Sequence, residues 1–119
     1  VSIDRFFGLK YDKRTYNCYH FSCDVWMHLT GEDLSKIIDS QMQTSGRLYR
    51  RYVRQFREIK TPVSPCLVIM QNPNEVAHMG VFYNGRILHF SEQLGTEYMP
   101  PEIACRLHTK VRYATRNHS

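Results

Sequence analysis

The chain has 119 residues, 42% of them hydrophobic and 13% aromatic, so residues 1–119 read as a single folded domain, with no room for a second and no disordered stretch. No apolar run approaches the roughly 18 residues that span a bilayer, and the opening segment lacks the apolar middle of a secretory signal, so a soluble chain without an export signal is expected. A formal net charge of +5 favours an anionic partner without choosing among nucleic acid, a phosphate-bearing wall polymer and a lipid surface.

Taken in chain order, a turn-rich stretch over residues 8–15 leads to Asn17, a good helix N-cap, and the apolar-periodic run behind it predicts a helix over residues 18–29. Thr30, with Asp33 three positions later and Leu34, Ile37 and Ile38 beyond, reads as the cap of a short second helix. Leu48, Tyr49, Tyr52, Val53 and Phe56 recur at helical spacing before Thr61-Pro62, predicting a third helix that ends near Ile59.

Strand patterns follow. Residues 66–70 form a continuous apolar run, as in a central strand buried on both faces. Residues 77–83 and 86–91 flank Asn84-Gly85, the strongest hairpin signal in the chain because both turn positions tolerate positive φ. Pro100-Pro101 reads as a break, and residues 107–113 as a last alternating strand. Helices first and antiparallel strands after argue an α+β fold with the helices packed on one face of a small antiparallel sheet.

Four cysteines, Cys18, Cys23, Cys66 and Cys105, are expected as reduced thiols, since a chain of this size needs no staples. Their spacing matches no common zinc pattern, and no metal or other cofactor is expected. Cys18 stands out because a first-turn position exposes a thiol to free backbone N–H groups and the positive end of the helix dipole, which favour the thiolate. At about 100° per residue, Val25 and Leu29 fall within roughly 20° of Cys18 and Phe21 within about 60°, so Cys18 heads the stripe that faces the sheet. Cys23 and His20 project about 140° and 160° away, and Trp26, about 80° away, reads as core.

A two-residue turn at Asn84-Gly85 pairs Tyr83 with Arg86, Phe82 with Ile87, Gly80 with His89 and His78 with Ser91, which makes His78 and His89 diagonal neighbours on one face. That face, which also carries Phe82 and Ile87, is the one expected to receive the Cys18 stripe. A thiol at a helix terminus, an imidazole and an orienting polar group are what nucleophilic catalysis by cysteine requires.

These residues resemble the NlpC-type cysteine peptidases, small papain-like domains that cut bacterial cell-wall peptides. The resemblance runs from about Tyr11 to Ser91: Tyr11 ahead of Asn17-Cys18-Tyr19-His20, then His78-Met79-Gly80-Val81-Phe82-Tyr83, Asn84-Gly85 and Ile87-Leu88-His89. It implies a papain-like NlpC-type fold, Cys18 as nucleophile, His78 as general base and His89 as the residue that orients it, with Tyr11 and Tyr19 as substrate contacts. It also implies hydrolysis of an amide in the peptidoglycan stem peptide, γ-D-glutamyl-diaminopimelate first among the candidates. Asn17 stands where the family has Asp, and Tyr19 and His20 stand where it has Ser and Gly, next to the nucleophile where substrate subsites are shaped. Compact members occur in phages and prophages, so the expected place of action is the cell wall or periplasm after delivery by a phage particle or secretion system, otherwise the cytoplasm.

Arg47, Arg50, Arg51, Arg54 and Arg57 surround the stripe of the third helix and offer a face for an anionic cell-wall polymer or phage tail components. The helix aromatics fall on the stripe, which argues against stacking on nucleic-acid bases. Two other functions remain open at this point: a thiol amidase or acyltransferase of the same fold acting elsewhere, and a basic phage structural or interaction module with vestigial catalytic residues.

Overall fold

The computed structural model describes residues 1–38 and 55–117. Its frame is a six-stranded, wholly antiparallel sheet in the order β1-β6-β2-β3-β4-β5, built from β1 (Phe56–Ile59), β2 (Cys66–Gln71), β3 (His78–Tyr83), β4 (Arg86–Ser91), β5 (Gly95–Met99) and β6 (Lys110–Arg116). Among the described residues two helices, α1 (Cys18–Thr30) and α2 (Pro101–Leu107), and two short 3-10 turns, Asp4–Phe6 and Leu34–Lys36, accompany the sheet in an α+β arrangement. Among the described residues no helix is long and apolar enough to cross a membrane.

The run at 66–70 is the interior strand its composition predicts: Cys66, Leu67, Val68, Ile69 and Met70 are all buried, because both faces of β2 are covered. One cover is α1, whose Phe21, Val25 and Trp26 pack in one core with Leu67, Ile69, Met79, Val81, Leu88 and Phe90. The other is α2, whose Ala104 packs in a second core with Cys66, Val68, Met70, Phe82, Ile87 and Met99. The expectation of helices on one face is therefore corrected: the sheet is a middle layer. The cause is α2, hidden at sequence level behind Pro100-Pro101. Pro101 opens the helix at a position whose N–H has no intrahelical partner in any case, and Glu102 follows in the first turn. β5, also unforeseen, runs along the outer edge of β4.

The hairpin turns at Asn84 (φ 49°) and Gly85 (φ 83°), and the pairs Tyr83↔Arg86, Phe82↔Ile87 and Gly80↔His89 are the expected ones, while the ladder stops before the expected pairing of His78 with Ser91. Two helix expectations change. Asp33, not Thr30, caps the turn after α1: its carboxylate accepts from Ser35 N at 3.0 Å, while Thr30 ends α1 with its hydroxyl donating to Trp26 O at 2.7 Å. Residues 56–59 are a strand, not the end of a third helix. Pairing with β6 outweighs the helical periodicity there, and Phe56 is buried under the Arg116 guanidinium, 5.5 Å from its ring centre. The rest of that expected helix, with Arg47, Arg50, Arg51 and Arg54, lies outside the described residues. Arg57 is exposed on β1, opposite Thr115.

Candidate active site

Asn17 fixes the first turn of α1. Its side chain accepts from Tyr19 N at 2.9 Å, and its own N–H donates to His20 Nδ1 at 3.2 Å, a capping box in which histidine takes the usual place of glutamate. His20 is thereby committed to the backbone, and its ring lies nearly parallel to that of Tyr16. Ahead of the cap, Asp12 accepts from Arg14 N and Thr15 N at 2.9 and 3.0 Å and closes a turn with Tyr16, leaving Lys10, Lys13 and Arg14 exposed.

Cys18, the first residue of α1, is 4% exposed. One turn further on, Ser22 is fully buried and donates to Met79 O at 3.3 Å. Met79 directly follows His78, so this bond pins the Cys18 end of α1 to the start of β3. Tyr11 closes the same end of the sheet. Its ring centre is 5.4 Å from that of Phe90, and burial, then Cys18, then Glu92 raise its phenol pKa above the ordinary value. Tyr19 is instead a core residue whose hydroxyl donates to Ile38 O at 2.8 Å.

The two histidines lie where the hairpin register puts them, but not on the expected face. Directly opposed residues in antiparallel strands share a face, and the pairs Met70↔His78, Gly80↔His89 and His89↔Glu97 join the α2 side, with Phe82, Ile87 and Met99. The face that receives Phe21 and Val25 of α1 carries Met79, Val81, Leu88 and Phe90. Hairpin periodicity gives two faces and no means of choosing between them until the second covering helix is known. His78 is the first residue of β3 and lies beyond the last β3–β4 pair, so a strand flanks it on the β2 side alone. Its ring centre is 6.1 Å from that of His108, which sequence reading left unassigned.

His89 is 6% exposed, and burial first, then His78 and His108, push its pKa down to about 4. Burial and His78 lower His108 in turn. Glu97, also unassigned from sequence, sits directly opposite His89 with Oε1 3.2 Å from Nε2. The approach is off the hydrogen-bond line, and neither His89 nitrogen has a hydrogen-bond partner among the described residues. Recognising β5 as a strand in register with β4 would have found Glu97; its short, glycine-led sequence concealed it.

Of the remaining thiols, burial raises Cys23 and Cys66 to about 11, and Cys105 is exposed. No group of three or more potential metal ligands is found among the described residues. Comparison with protein-family models, with curated proteins and with solved structures gives no match.

Proposed function

We propose that this chain is a cysteine-dependent amide hydrolase of the papain-like, NlpC type, with Cys18 as nucleophile and His78 as base. The observation that supports the reading is the Ser22–Met79 bond, which ties the helix that opens on Cys18 to the strand that opens on His78, a histidine that itself faces α2. In the proposed reaction His78 takes the Cys18 proton and the thiolate attacks the amide carbonyl. The resulting oxyanion is met by backbone N–H at the start of α1. His78 then protonates the departing amine, and water, activated by the same imidazole, releases the acyl group. His89, neutral near pH 7, orients His78.

The substrate class proposed is the peptidoglycan stem peptide, whose carboxylates suit the exposed Lys10, Lys13 and Arg14 of the turn leading into the nucleophile. Incubation with purified stem peptides, read by mass spectrometry of the products, reports activity and bond together. Products from the native chain and none from Cys18→Ala are expected. Absence of products from both would remove the peptidase reading of these substrates. A second reading, a basic interaction module, is favoured by one observation: His78 and His89 share the α2 face and not the face packed against the α1 stripe. On that reading Cys18→Ala changes no binding or catalytic property.

A further inference from the structure

Buried imidazoles need partners for both nitrogens, because an unsatisfied polar group in a protein interior carries its full desolvation cost. His89 has a carboxylate close at hand. The β4–β5 register puts Glu97 directly across from it, and the carboxylate oxygen stands 3.2 Å from Nε2. Gly80 occupies the opposite flank, so the space beside the His89 Cβ is held open on the β3 side; a Cβ there would come within 3.0 Å of it. His78 is the diagonal neighbour beyond Gly80 on the same face.

We infer that Glu97 is a positioning residue that fixes the tautomer of His89, and through it the ring of His78. A carboxylate only accepts hydrogen bonds, so it selects the His89 tautomer that carries its proton on Nε2 and leaves the Nδ1 lone pair open. A small rotation of the carboxylate completes an N–H···O bond from the 3.2 Å approach. The Nδ1 lone pair can then accept an N–H from His78, and a His78 ring that donates through one nitrogen has its lone pair on the other, where a thiol proton can be received. Since burial keeps His89 neutral near pH 7, the contact with Glu97 is between an imidazole and a carboxylate and not an ion pair. No proton leaves His89 in this scheme: it holds a ring in place and transfers nothing. The tautomer claim stands on the geometry alone, and its catalytic consequence rests on the hydrolase reading.

The test is a two-dimensional 1H–15N correlation of the imidazole nitrogens in protein labelled with 15N-histidine at pH 7, His89 being assigned by its loss in His89→Gln. In the native chain His89 is expected as the Nε2–H tautomer. Glu97→Gln should keep that tautomer, because the amide oxygen accepts the same bond, and Glu97→Ala should shift His89 to a mixture. An Nδ1–H tautomer in the native chain, which needs no variant to observe, overturns the inference, as does a His89 pattern unchanged in Glu97→Ala. Where stem-peptide hydrolysis is measurable, Glu97→Ala should lower kcat by about tenfold or more with KM little changed, and Glu97→Gln should recover most of it. A chain that cleaves no peptide but shows the Nε2–H tautomer responding to Glu97 upholds the positioning claim and removes the reaction. Hydrolysis with an unresponsive tautomer does the reverse.

Discussion

His89 couples proton uptake to folding. Its pKa of about 4 in the folded chain lies below the ordinary 6.5, so on acidification the unfolded chain takes up this proton first. Stability is therefore complete above pH 6.5 and falls as pH drops toward 4, with His108 shifted in the same direction and adding to the loss. Between pH 7 and pH 5, a range mostly above carboxylate titration, the His89 contribution amounts to about 2 kcal/mol. Urea unfolding at the two values should show a drop of this order in the native chain and a smaller one in His89→Gln. An equal pH slope in both would mean that the ring is solvated and not buried. His20 differs in kind: its Nδ1 serves the Asn17 N–H, so His20→Ala should weaken the cap without removing an acid or a base.

At the scale of elements, the α1 cap and the β3–β4 hairpin carry the site, and each has a residue that sets it. Asn17→Ala removes the acceptor of Tyr19 N and should cost about 1 kcal/mol, while Asn17→Asp keeps the acceptor and adds favourable charge at the helix start. Gly80→Ala would put a Cβ 2.9 Å from Leu88 O and 3.0 Å from the His89 Cβ. A carbonyl oxygen and a Cβ held by the paired strand cannot yield as the far end of a flexible side chain would, so a loss of about 1–3 kcal/mol is expected in denaturant unfolding. Both elements were legible in the sequence, because a cap residue and an Asn-Gly turn act through local backbone chemistry. The strand at Phe56–Ile59 was not, since its partner β6 lies more than fifty residues away and only that pairing overrides a helical spacing. Nor was α2, where a proline pair that usually stops a helix starts one.

Across the whole molecule, α1 is tied to the sheet at both ends. At one end Ser22 bonds Met79 O; at the other Glu32, just past α1, accepts from Arg116 Nε and Nη2 of β6 at 2.8 Å each and from Trp26 Nε1 at 3.0 Å. The two parallel bonds use the fork of a guanidinium, which an ammonium cannot reproduce. Arg116→Lys should therefore lower Tm by several degrees, corresponding to a loss of about 1–2 kcal/mol in a domain of this size. A Tm equal to that of the native chain would show the fork to be dispensable. Cys18 at a cap and His78 and His89 in a hairpin were readable from sequence, while His108 and Glu97 beside these histidines were not. Nor was the division of these residues between faces, because it is decided by which helix covers which side of the sheet, a property of the assembled layers and not of any one segment.

The central claim, that Cys18 is a nucleophile served by His78, is tested most directly without any substrate by measuring the rate of Cys18 alkylation with iodoacetamide from pH 5 to 9, in the native chain and in His78→Ala. Peptide mass spectrometry separates Cys18 from exposed Cys105 and from Cys23 and Cys66, whose thiols burial holds near 11. The account predicts that Cys18 labelling persists at pH 6 and that His78→Ala moves the Cys18 profile at least one unit upward. Identical Cys18 profiles in the two proteins would contradict it.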